Sequence, residues 1–133
     1  MTADEVRAIP LFAGLTDAAL ERIAASGTER EVEAGQVLAL PGDPGSGMFV
    51  IREGEVTVEA RSGPIALGPG DFFGELALLV PDAGRVARVR AATRARCLSI
   101  PRNDFLALLE SEPPLALEVL RELARRLYGV YAR

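Results

Sequence analysis

From residue 28 to residue 100, turn-forming residues interrupt the apolar pattern every few positions. Val37-Leu38-Ala39-Leu40 gives way to Pro41-Gly42-Asp43-Pro44-Gly45-Ser46-Gly47, a loop dense in turn formers. Met48 to Ile51 is an apolar run, and Glu53-Gly54 makes a tight turn. The stretch Glu55-Val56-Thr57-Val58-Glu59-Ala60 then alternates strictly. Val56, Val58 and Ala60 share one face of a strand, and Glu55, Thr57 and Glu59 share the other. Ser62-Gly63 turns again, Ile65-Ala66-Leu67 is a short strand, and Gly68-Pro69-Gly70-Asp71 ends it. Strands resume over 86–91 and 96–100. Short strands with turn signals at this frequency predict a sandwich or barrel. The 13 glycines and 9 prolines of the chain agree with so many turns.

Both flanks read as helix. In residues 1–27, Thr16 is a good N-cap, because its hydroxyl can accept a free first-turn amide. Leu15 before it can act as a hydrophobic staple, and Gly27 is placed to stop the helix in the usual glycine manner. In residues 101–133, Asp104 to Glu110 predicts a short helix, and Pro113-Pro114 suits the first turn of the next. Ala116, Leu120, Leu123, Leu127 and Val130 step by four, three, four and three, a heptad seam. That seam either packs on the barrel or meets a second copy of the chain. The expected organisation is a single domain over 1–133: helical entry 1–27, barrel 28–100, C-terminal helices 101–133.

Composition excludes several functions. Hydrophobic residues reach 49% and charged residues 26%, which is globular composition and not disorder. The net charge of -4 argues against direct nucleic-acid binding, which wants a basic face. The absence of histidine removes the commonest transition-metal ligand and general base. Cys97 is the one cysteine, so there is no internal disulfide and no multi-cysteine zinc site. In its alternating strand it reads as a small buried hydrophobe. No nucleophile–base pair is visible, and no enzyme activity is expected. No apolar run is long enough for a membrane span, and no signal pattern opens the chain. A cytoplasmic protein is expected.

The segment that carries chemistry is 70–89. Gly70-Asp71-Phe72-Phe73-Gly74-Glu75-Leu76-Ala77-Leu78-Leu79 is followed by Arg85-Val86-Ala87-Arg88-Val89. Gly74-Glu75 opens a short helical pattern. A helix N-terminus presents free backbone amides and partial positive charge, which suits an anion. Glycine there lets a ligand approach the backbone. Arg85, at the start of the next strand, adds a full charge and a planar fork suited to phosphate. Glu75 would repel a phosphate, but it can accept from a sugar hydroxyl. Together these parts describe a sugar-phosphate pocket.

The string Phe73-Gly74-Glu75-Leu76-Ala77-Leu78, with Arg85 ten residues after Glu75, resembles the phosphate-binding cassette of cyclic-nucleotide-binding domains. That family includes catabolite activator proteins and regulatory subunits of cyclic-AMP-dependent kinase. Leu11-Phe12 with Leu15, Gly35, Gly42-Asp43, Met48-Phe49-Val50-Ile51, Glu53-Gly54 with Val56, Gly70-Asp71 and Leu123-Ala124-Arg125-Arg126-Leu127 resemble further family marks, so the resemblance covers nearly the whole chain. It implies an α+β, mainly β fold: a double-stranded β-helix (jelly-roll) barrel flanked by helices. It implies that Arg85 pairs with the cyclic phosphate and Glu75 accepts from the ribose 2′-hydroxyl. Backbone amides around Gly74, Glu75, Leu76 and Ala77 would complete the cradle beside Phe73. Val58, Leu67 and Leu76 would form apolar walls.

Val86 departs from the family, whose binding members often carry Ser, Thr or Ala after the arginine. A hydroxyl there can bond the phosphate or the guanine amino group, and Val86 cannot. A missing neutral hydrogen bond weakens binding by about 0.5–1.5 kcal/mol. The expected ligand is therefore cyclic AMP over cyclic GMP, with no further cofactor and no metal. The expected role is a sensor that signals through its C-terminal helix, with a fused or docked effector or a homodimer through that helix. Two alternatives stand beside it: the ligand-binding part of a transcription regulator, and a ligand-free jelly roll in which Glu75 and Arg85 are an ordinary ion pair. Arg88 and Arg90 read as a solvated strand face, and Arg125 and Arg126 as helix-end cations or, less simply, a lid. Tyr128 and Tyr131 either cap the base or pack.

Overall fold

The computed structural model describes residues 1–39, 47–74, 79–80 and 87–132. Helices α1 (Ala3–Arg7) and α2 (Asp17–Ser26) flank a 3-10 turn at Pro10–Phe12. Thr2 caps α1 reciprocally with Glu5. Thr16 caps α2, its hydroxyl accepting the Ala19 amide at 3.2 Å. Leu15 and Leu20, one on each side of that cap, are buried in the same core. Gly27 does end α2, but not as a left-handed cap: its φ of -72° and ψ of 147° are extended. Its lack of a side chain serves space instead, because a Cβ would sit 2.8 Å from the Ile23 carbonyl and from Leu98 Cδ1.

Among the described residues eight strands follow: β1 (Thr28–Val32), β2 (Val37–Ala39), β3 (Gly47–Glu53), β4 (Val56–Ala60), β5 (Gly63–Leu67), β6 (Phe72–Phe73), β7 (Arg88–Ala91) and β8 (Ala95–Pro101). They form two antiparallel four-stranded sheets, ordered β1-β8-β3-β6 and β2-β7-β4-β5. β1, charged and mostly exposed, is a strand that the apolar pattern did not single out. Its five residues pair with β8 from Thr28↔Ser99 to Val32↔Ala95.

Two separate cores explain why β3 is apolar at every position from Met48 to Ile51. Phe49 and Ile51 enter the space between the sheets, with Val32, Val56, Phe73, Val89, Ala91, Ala95 and Cys97. Met48 and Val50 point the other way, into a core shared with the helices. Alternating side chains leave a strand on opposite faces, so one buried on both faces reads as continuous apolar sequence. β8 divides in the same way, Cys97 going inward and Leu98 and Ile100 to the helices.

Helices α3 (Arg102–Ser111) and α4 (Pro113–Tyr131) close the helical core with Phe105, Leu108, Leu115 and Val119. Here the exposures oppose one of the two readings of the heptad seam, packing on the barrel. The residues of α4 that face the core are Leu115 and Val119, with Leu123 partly buried beside them. Leu120, Leu127 and Val130 are 63%, 52% and 55% exposed, so packing on the barrel does not account for the seam. The helix packs on α3 and on the 3-10 turn at Pro10–Phe12, and a stripe one step away from the seam does the packing. No helix among the described residues is long and apolar enough to cross a membrane.

Candidate functional site

The approach to the cassette is built by a short turn. Asp71 closes it on itself: its carboxylate accepts the Gly68 amide at 2.8 Å, and its own amide donates to the Gly68 carbonyl at 3.0 Å. The Gly70 amide donates to the Ile51 carbonyl at 2.8 Å, and the Ile51 amide donates to the Asp71 carbonyl at 2.9 Å. The turn is thus sewn to β3. Gly70 has φ 92°, where an L side chain is strained, although nothing lies within 4 Å of a Cβ placed there. Conformation, not space, selects glycine at that position.

β6 follows, only two residues long, paired to β3 through Phe49↔Phe73 and Val50↔Phe72. Its two rings part company. Phe73 enters the space between the sheets and stacks on Phe49, centroids 4.9 Å apart and planes within 10°. Phe72 enters the helical core. Gly74 comes next at φ 94°, so left-handed glycines bracket the strand.

Of the residues expected to form the pocket, Phe73 is buried between the sheets, and Val58 and Leu67 pack against the same cluster. Val56↔Leu67 and Val58↔Ile65 in the β4–β5 pair set both side chains on that wall. Glu75, Leu76, Ala77, Arg85 and Val86 lie outside the described residues. Arg88 and Arg90 serve Glu59 across the strands: Arg88 Nε donates to it at 2.7 Å and Arg90 Nε at 3.2 Å. The Arg88 hydrogen bond, joined by that of Arg90, holds the Glu59 carboxyl below its ordinary range. Both arginines therefore lie on the outward strand face that their alternation with Ala87 and Val89 implies, and there they pair across the strands with Glu59. Cys97 is fully buried, and desolvation pushes its thiol up to about 11.

Two contacts lay beyond sequence reasoning. Arg126 of α4 reaches back to β6: its Nη2 donates to the Phe72 carbonyl at 2.6 Å. Its guanidinium carbon lies 4.8 Å from the centre of the Phe72 ring. Neither the helix-end nor the lid reading of Arg126 anticipated this. The second is Glu112, the one buried charged or polar residue among those described. It accepts from the Thr16 amide at 3.1 Å and from the Thr16 hydroxyl. No sequence signal links positions so far apart. Surface clefts of about 280 and 260 Å³ also exist, but neither is lined by Phe73, Gly74, Val58 or Leu67.

This arrangement has counterparts. A family model described as the cyclic nucleotide-binding domain matches residues 29–112. A cyclic nucleotide-gated potassium channel of Mesorhizobium japonicum is 42% identical over 127 residues, which is 96% of this chain and 35% of the channel. The solved catabolite activator protein of Thermus thermophilus superposes with a TM-score of 0.76 at 29% identity, over 92% of this chain and 60% of that one. The regulatory subunit of a cAMP-independent protein kinase A from Trypanosoma brucei gives 0.76 at 25% identity, over 96% and 49%. The chain spans between a fifth and about a third of the length of the curated relatives it matches. The two facing sheets, their helical flanks and this match over most of the chain agree, and the chain belongs to the cyclic nucleotide-binding domain family, as a regulatory domain on a jelly-roll fold.

Proposed function

We propose that this domain senses a cyclic mononucleotide, cyclic AMP in preference to cyclic GMP, and passes its occupancy on through α4. The observation that carries the reading is the family match over 29–112, which includes the string Phe73-Gly74-Glu75-Leu76-Ala77 and Arg85. The left-handed Gly74 and the apolar wall of Phe73, Val58 and Leu67 support it. In this reading Arg85 pairs with the cyclic phosphate, Glu75 accepts from the ribose 2′-hydroxyl, and amides from Gly74 to Ala77 complete the cradle. The fold alone fixes no ligand, since one structural neighbour is a subunit described as cAMP-independent. The choice of cyclic AMP rests on Val86, which offers no hydroxyl to a guanine amino group.

The domain performs no chemistry of its own in this reading. It requires a partner, and the exposed stripe of Leu120, Leu127, Tyr128 and Val130 on α4 offers a surface to a second copy or to a fused or docked effector. Ligand moves α4 only if it binds one helix arrangement better than the other. No direct nucleic-acid contact is assigned, in keeping with the net charge of -4, and the cytoplasm is the proposed location.

Isothermal titration with cyclic AMP and cyclic GMP tests this, with Arg85→Ala as control. The expected result is saturable binding, tighter for cyclic AMP and lost in the variant. Absence of heat and of thermal shift with both nucleotides would refute it.

A further inference from the structure

We propose that Arg30 is a positioning residue for the nucleotide site, acting through the stacked rings of Phe49 and Phe73 and not through the ligand. The inference rests on the function proposed above. The strand arginines Arg52, Arg88, Arg90 and Arg96 each meet a glutamate. Arg30 meets none among the described residues, although Glu29 and Glu31 flank it in sequence. Those two leave β1 on its outer face, where Arg52 and Arg94 take them. Arg30 shares the other face with Val32, which is buried between the sheets. Its guanidinium carbon lies over the Phe49 ring, 5.9 Å from the centre.

Phe49 is thereby engaged from both edges of one sheet. In the order β1-β8-β3-β6, Arg30 stands on one edge strand, Phe73 on the other, and Phe49 on β3 between them. Arg30 pairs in register with Cys97 of β8, and Cys97 pairs with Ile51 of β3, so the arginine side chain crosses β8 to reach Phe49. Cys97 feels the crossing: burial raises its thiol, and the Arg30 charge opposes the rise. From the far edge Phe73 stacks on Phe49, centroids 4.9 Å apart. Phe73 is the residue before Gly74, where the cassette begins. A row of three side chains thus joins an exposed cation on β1 to the last residue before the cradle. The cation favours the orientation of Phe49 that turns a π face toward it, and that orientation sets the plane on which Phe73 lies. Without the cation the two rings sample more tilts. A ligand must then order Phe73 and Gly74 on binding, and affinity falls.

The test combines two measurements on the 133-residue chain. The first is hydrogen exchange of the nucleotide-free protein, native against Arg30→Ala. Faster exchange at Phe73 and Gly74 is expected, and unchanged exchange there overturns the coupling. The second is cyclic AMP affinity. Arg30→Ala should weaken it about two- to fivefold, the worth of an exposed cation over a ring. Arg30→Lys, which keeps a cation, should recover part of the loss. Arg30→Met, which keeps an apolar stem without charge, should behave as Arg30→Ala does. In a Phe49→Leu background, which has no ring to act on, Arg30→Ala should change affinity no further.

Unchanged or tighter binding in Arg30→Ala overturns the positioning role. So does native affinity in Arg30→Met, since the stem and not the cation would then do the work. An undiminished effect in the Phe49→Leu background overturns it as well, because the arginine would be acting by another route. If Phe49→Leu does not fold, the contrast between Arg30→Lys and Arg30→Met decides. If the native chain binds no cyclic nucleotide, the proposed function fails and the positioning role fails with it, while exchange still decides whether Arg30 orders Phe73.

Discussion

The carboxylate of Glu112 accepts both the amide and the hydroxyl of Thr16, 96 residues earlier in the chain. The same hydroxyl accepts the Ala19 amide, so one buried carboxylate supports the cap of α2. Glu112 is also where α3 ends and α4 begins: its amide donates to the Leu108 carbonyl, and its carbonyl accepts from Leu115 and Ala116. Glu112→Ala takes the charged acceptor from the amide and hydroxyl of Thr16 and should destabilise by about 1.5–3 kcal/mol, the worth of hydrogen bonding to a charged group. Thr16→Val loses the cap as well and should fall by about 1–2 kcal/mol. Urea unfolding measures both. The double variant should lose less than the sum, because the two residues share one interaction.

Gly54 should tolerate no side chain. Its φ is 83°, and a Cβ there would lie 2.2 Å from the Arg94 carbonyl oxygen and 2.8 Å from Ala95 Cα. Both obstacles are backbone, so relief requires moving the β3–β4 turn away from the turn before β8. Gly54→Ala combines left-handed strain with that displacement and should destabilise by about 3 kcal/mol or more. Gly63→Ala is the comparison: φ is 122° with nothing within 4 Å of its Cβ, so strain acts alone. Its loss should be the smaller of the two in a thermal melt.

Cys97 should be silent toward thiol reagents in the folded protein at pH 8 and react fully in denaturant. Burial raises its thiol from an ordinary value near 9 to about 11. Between those values the unfolded chain releases the proton while the folded one keeps it. The unfolded state then binds fewer protons, so stability falls as pH rises from about 9 to 11. Cys97→Ala should remove that part of the alkaline decline, at the expense of a small cavity.

Opposite faces of α4 should respond differently to truncation. Leu115 is fully buried, and Leu115→Ala should destabilise by about 2–5 kcal/mol. Leu120 is 63% exposed, and Leu120→Ala should stay within about 0.5 kcal/mol. Chemical denaturation of both variants checks whether the outward stripe contributes to the folded monomer.

Much of the architecture was legible because its causes are local. The turns at Gly54 and Gly63 and the cap at Thr16 each arise within a few residues. The alternation of β4 was visible for the same reason. β1 escaped notice because Thr28-Glu29-Arg30-Glu31 has no apolar period. Its place is set by backbone pairing with β8, and Arg52 and Arg94 ion pairs hold Glu29 and Glu31. The role of the α4 seam stayed open between barrel packing and a second copy because a 19-residue amphipathic helix offers two neighbouring apolar stripes, and only tertiary packing chooses between them. The burial of Phe73 with Val58 and Leu67 beside it agrees with the walls that the family resemblance implied. The contacts of Arg126 with Phe72 and Glu112 with Thr16 were not legible, since nothing in a sequence marks partners 54 and 96 residues apart.

The parting of Phe72 and Phe73 restricts how the start of the cassette can move. Sliding β6 by one residue would exchange the two rings between cores that are both closed, with each ring now 3% exposed. Translation along the strand is therefore forbidden to anything short of unfolding. What remains is a twist about the strand axis, with the Phe49–Phe73 stack as bearing and the Phe72 carbonyl, gripped by Arg126, as crank. In the sensing role proposed above, a disturbance at Gly74 would meet this twist, and its size would be limited by how far two stacked rings can turn before they lose contact.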